Sequence, residues 1–154
     1  MAIFEAAPPY SILERAAMAL TPGAKDPKHV PTTRPGKLQS SDWALAVALA
    51  GQLNPLGLSA FWARWAGDPS SRVDLAAKLA ASTDGVNPEY APALSALAVR
   101  SYCDGETSQR EICRQLGVSR SQTWPKLQGA YRRMLESLYM AEAKMARSIK
   151  LTMY

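Results

Sequence analysis

The chain has 154 residues, 47% hydrophobic and 20% charged, with a net charge of +5 and a pI near 9.4. That is apolar material for one domain with a real core. Two cysteines and one histidine, His29, argue against a disulfide framework and against a four-ligand zinc site. The longest apolar run, Trp43–Gly51, falls far short of the roughly 20 residues needed to span a bilayer.

The charge is uneven. Residues 1–37 carry five basic and three acidic side chains, residues 38–99 three and five, and residues 100–154 ten and five. The basic excess therefore falls on the last third, where a nucleic-acid footprint would place it. A modest basic surplus that only aids solubility is the plainer alternative.

Residues 1–9 read as a loose lead-in without the basic start of a signal peptide. A short helix follows over Ser11–Leu20, with Ile12, Ala16 and Ala19 on one side. Residues 21–37 hold four prolines, two glycines and five basic side chains counting His29, the composition of an irregular arm. The predicted organisation is thus a Pro-rich basic arm with one short helix over 1–39, then a helical domain over 40–154.

Ser40 or Ser41 should cap the next helix, whose Trp43, Val47 and Ala50 share one face and Leu45, Leu49 and Leu53 the next. Apolar nearly all round, it should sit at the centre of the core. A turn at 54–57 leads to Leu58–Ala66, rich in aromatic residues that read mainly as core. After a break at Gly67-Asp68-Pro69, Ser70 or Ser71 starts a helix through Val73, Ala76, Leu79 and Ala80. Residues 84–88 make the next turn. Residues 89–103 form a helix that uses Tyr90, Leu94, Leu97 and Val99 and ends at Tyr102.

The motif lies at 108–127. Ser108 caps a helix and Glu111, three residues on, completes a capping box. Ile112, Cys113 and Leu116 form its apolar stripe, and Gly117 suits the left-handed C-terminus. Val118 plugs the turn. Ser119 caps a second helix, with Gln122 in the box position. This is the order of a helix-turn-helix, although an ordinary helical hairpin satisfies the same signals. The last helix is predicted from Arg120 to about Lys150. Its seam of Leu127, Tyr131, Met134, Leu138, Ala141 and Met145 can pack on its own core or on a second copy. Pro125 conflicts with that start: either the helix kinks at Trp124, or it begins later with Thr123 as its cap. The predicted fold is all-α, with six or seven helices.

In such a motif Arg120, Ser121 and Gln122 would meet base edges beside the cap Ser119, while Arg110, Arg114, Lys126, Arg132 and Arg133 would hold phosphates. No phosphate loop, HExxH or nucleophile–base pair occurs, so no enzyme, cofactor or metal is expected. A soluble, cytosolic protein is.

Residues 92–138 resemble the C-terminal helix-turn-helix of sigma factors, whose recurring text EGxSxxEIAxxLGxSxxTVxxxLxxA stands here as DGETSQREICRQLGVSRSQTWPKLQGA, with one extra residue after Gly105. The closer resemblance is to the smaller family of Q antitermination proteins of lambdoid phages. It rests on Leu94-Ser95-Ala96-Leu97 before the motif and Leu127 to Leu135 after it, with a weak echo at Leu13-Glu14-Arg15. Pro125 and Thr123 depart from that pattern, which has a basic and an aliphatic residue there. The resemblance implies a DNA-binding antiterminator in the cytoplasm of a bacterial host. Such a protein loads on host RNA polymerase at a phage late promoter and carries it through pauses and terminators. A conventional promoter regulator or sigma-like factor, and a ring-forming terminase-type DNA-docking subunit, are the alternatives.

Overall fold

The computed structural model describes residues 12–21 and 39–153. Their regular structure is all helical, with no strand among them: α1 over 12–20, α2 Ser40–Leu53, α3 Pro55–Ala60, a π-turn Phe61–Trp65, α4 Pro69–Ser82, α5 Ala91–Asp104, α6 Gln109–Leu116 and α7 Trp124–Met153. The lead-in over 1–9 and, beyond Thr21, the basic arm over 21–37 lie outside the described residues.

Two helices start one or two residues earlier than their serines suggest. At α2 the Gln39 backbone N–H donates to Asp42 Oδ2 at 2.9 Å, so Gln39 rather than Ser40 or Ser41 is the cap. At α4 the Asp68 carboxylate accepts from the Ser70 amide and from the Ser70 and Ser71 hydroxyls, and Pro69 takes the first position, where its missing donor costs nothing.

The core has two clusters. Leu75 and Leu79 of α4, Leu94 to Tyr102 of α5, Ile112 and Cys113 of α6 and the first half of α7 make one. Ile12, Leu13, Ala16 and Ala17 of α1, Trp43, Ala46, Val47 and Ala50 of α2, Phe61, and Met145, Ala146 and Ile149 of α7 make the other. Helix α1 therefore packs into the body rather than belonging to a loose arm. All six predicted seam positions of α7 are buried, against the chain's own helices.

The prediction for α2 needs correcting. Leu45, Leu49 and Leu53 are 59, 43 and 83% exposed. The helix packs on α1, α3 and α7 through its Trp43 face, and among the described residues no helix covers the other. Val73 is likewise exposed, because α4 turns Leu75 and Leu79 inward instead.

Where the clusters meet, polar groups tie α7 to the centre of the chain. Asn54 caps α3 by accepting from the Gly57 amide and donates to the Ala141 carbonyl at 2.9 Å. Gly57 is required there: a Cβ would stand 2.9 Å from that same carbonyl. Next along α7, Glu142 is 3% exposed and accepts from Arg64 and from the Trp65 indole. The π-turn makes this possible. Its wider closure, Ala66 N to Phe61 O, sends Phe61 into one cluster, Ala63 into the other, and Arg64 and Trp65 to Glu142.

Candidate nucleic-acid interface

The Ser108 hydroxyl accepts from the Glu111 amide, starting α6 as the sequence predicts. The carboxylate of Glu111 does not return to Ser108. It pairs instead with Arg114, Nε to Oε2 at 2.9 Å, and with the Gln115 amide at 2.9 Å. Those partners, Arg114 first, hold the Glu111 carboxyl down to about 2. Ile112 and Cys113 are buried, with Leu116 and Val118 packed beside them. Gly117 ends α6 at φ +69°, the left-handed conformation that glycine adopts without strain.

Helix α7 does not start at Arg120. Residues 120–123 form a turn and the helix begins at Trp124. Pro125 has no amide to offer the Ser121 carbonyl, and its ring would clash with it. In the first turn of a helix neither defect matters. Ser119 closes the turn from its other side, its hydroxyl accepting from the Gln122 and Thr123 amides at 3.2 and 3.0 Å. Trp124 N reaches the Ser119 carbonyl at 2.9 Å. The helix thus starts late, as Pro125 allowed: Thr123 directly precedes it and its carbonyl accepts from the Lys126 amide at 3.1 Å, while Ser119 closes the turn ahead of it and Gln122 contributes only its amide.

Trp124 is buried and meets Tyr131 edge-on at 5.7 Å. Tyr131 in turn shares a 2.6 Å hydrogen bond with Ser101 of α5. The buried side of the motif is therefore fixed to α5, and the turn faces outward.

The predicted contact residues divide into three groups. Arg120, Ser121 and Gln122 are exposed on the turn beside Ser119, and Lys126 is exposed on the first turn of α7. Arg110 on α6 and Arg132 on α7 are exposed and form no ion pair among the described residues. Arg114 and Arg133 are engaged: Arg114 by Glu111, and Arg133 by the Asp84 carbonyl at 3.0 Å, where it pins the 84–85 turn. The Glu111–Arg114 pair was readable from its spacing of three on a helix. Nothing local signals the bond from Arg133 to a residue 49 positions away. Arg100, exposed near Asp104 and Glu111, adds a cation that the motif reading left out.

Comparison with protein-family models, curated proteins and solved structures returns no match. Among the described residues no cluster of three His, Cys, Asp or Glu is placed to hold a metal ion. None of their helices is long and apolar enough to cross a membrane. Cys103 and Cys113 are free thiols, and burial pushes Cys103 above its ordinary value.

Proposed function

We propose that this chain is a DNA-binding transcription antitermination factor, which reads a site at a phage late promoter and loads there on bacterial RNA polymerase. The observation that supports DNA reading is the exposed Arg120-Ser121-Gln122 turn, held by the Ser119 hydroxyl in front of the positive end of a 30-residue helix. Arg pairs with guanine and Gln with adenine through two hydrogen bonds each, both worth about 1–3 kcal/mol of discrimination. Arg110, Lys126 and Arg132 around the turn supply backbone contacts. The polymerase and readthrough parts of the proposal rest on the resemblance to the Q antitermination proteins.

Arg120→Ala is the decisive variant, since the Arg120 side chain caps nothing. Footprinting should show a loss of about tenfold or more on the cognate site and little change on random duplex. Equal binding of both DNAs by variant and parent would remove the turn from the reading surface. A promoter-proximal transcription assay then separates the alternatives. An antiterminator lengthens transcripts past a terminator, whereas a promoter regulator changes only their number.

A further inference from the structure

The exposed face of the last three turns of α7 is both basic and apolar. Lys144, Arg147 and Lys150 are exposed there, and no acidic residue follows Glu142 in the chain. Among the described residues none of the three forms an ion pair. Met140 and Leu151, at 59 and 83% exposure, flank them, and Tyr139, 44% exposed, stands at the margin with its ring edge-on against Tyr102 at 5.4 Å. Helical periodicity places all six on one side of the helix, opposite the buried Leu138, Met145 and Ile149, with the exposed Glu136 on that side one turn before Met140. We infer that this face docks a protein segment that carries carboxylates beside apolar side chains.

Charge complementarity selects the partner. Three unpaired cations within two turns disfavour a basic or neutral surface and steer an acidic one. The apolar residues distinguish the face from a phosphate grip, which does not need them, while Tyr, Met and Arg are the types enriched at protein interfaces. Position agrees. Lys144 lies about 27 Å along α7 from Lys126, so a helix that enters a groove by its first turn carries this face clear of the duplex. The inference goes beyond the DNA-reading proposal; only the positional argument rests on it.

Selection of random 16-residue displayed peptides on the full-length protein tests the inference. The enriched peptides should be acidic and contain leucine or aromatic residues. They should lose at least about tenfold in affinity for the Lys144→Glu, Arg147→Glu, Lys150→Glu triple variant. Circular dichroism should find that variant as helical as the parent, since all three side chains are exposed. Random duplex DNA should bind both proteins alike, and neither should bind phosphatidylglycerol vesicles. No enrichment, enriched peptides without acids, or peptides that bind the triple variant equally would overturn the inference. So would a loss of duplex binding in the variant, which would make the face a DNA contact, or vesicle binding by the parent, which would make it a lipid contact. Failure of Arg120→Ala to affect DNA reading would leave every arm of this test intact.

Discussion

Arg64 and Glu142 are 78 residues apart in the chain and 3.0 Å apart in the fold. The guanidinium reaches both carboxylate oxygens and lies over the Trp65 and Tyr102 rings at 5.1 and 4.8 Å. Burial pushes the Glu142 carboxyl up, and Arg64 and Trp65 oppose that shift. Glu142→Leu should therefore cost about 3 kcal/mol, because it takes the carboxylate away from a partly buried cation and from the Trp65 indole. Adding Arg64→Met should recover much of the loss. Urea unfolding of the two single variants and the double variant measures the coupling, and additive losses would show that the pair acts independently.

Acid should loosen the start of α6. Glu111 is held below its ordinary 4.5, at about 2, so the folded state favours its charged form. The contribution is complete above pH 4.5 and disappears as the pH falls from there toward 2. Amide exchange in Gln109–Leu116 should speed up across that window in the parent, and much less in Glu111→Gln. Because the pair is exposed the effect is small and should shrink in salt.

Neighbouring arginines should behave differently. Arg132→Ala should leave stability unchanged and reduce the salt slope of duplex binding by about one contact. Arg133→Ala should cost about 0.5–1.5 kcal/mol through the lost bond to the Asp84 carbonyl. Thermal melts and salt titrations of both variants distinguish a phosphate contact from a structural tie.

Pro125→Ala restores the missing amide. Residues 121–123 should then join α7, adding nearly one helical turn, and amide 125 should gain exchange protection. Arg120 and Gln122 would be re-aimed, so cognate binding should weaken even as the helix lengthens. If 121–123 stay non-helical, the Ser119 cap and the burial of Trp124 hold the turn without help from the proline.

Most of the helices were legible because each has a periodic apolar face and punctuation at its ends. The α7 seam was the clearest case, since every heptad position from Leu127 to Met145 is buried. Gly117 and the two serine caps were equally plain, because their chemistry is local. The outward face of α2 was not legible. Composition cannot tell a helix buried all round from one at an edge whose leucines face out, a matter decided by which neighbours arrive. The π-turn and the Arg64–Glu142 pair were hidden for a related reason: each depends on partners brought together only by the tertiary fold. In the candidate site the residues were named correctly as surface groups, but Pro125 moved three of them from a helix to a turn.

One helix serves both core clusters, with Trp124 to Leu138 in the first and Met145 to Ile149 in the second. The angular phase between its two ends is therefore set by residue count alone. A single residue inserted between Leu138 and Met145 would rotate one end against the other by about 100°. The Ser119 turn could then keep its place on α5 only if Met145 and Ile149 left theirs. The helix acts as a keyed shaft, and the 108–127 motif cannot be cut free of the second cluster without exposing the apolar side of that shaft.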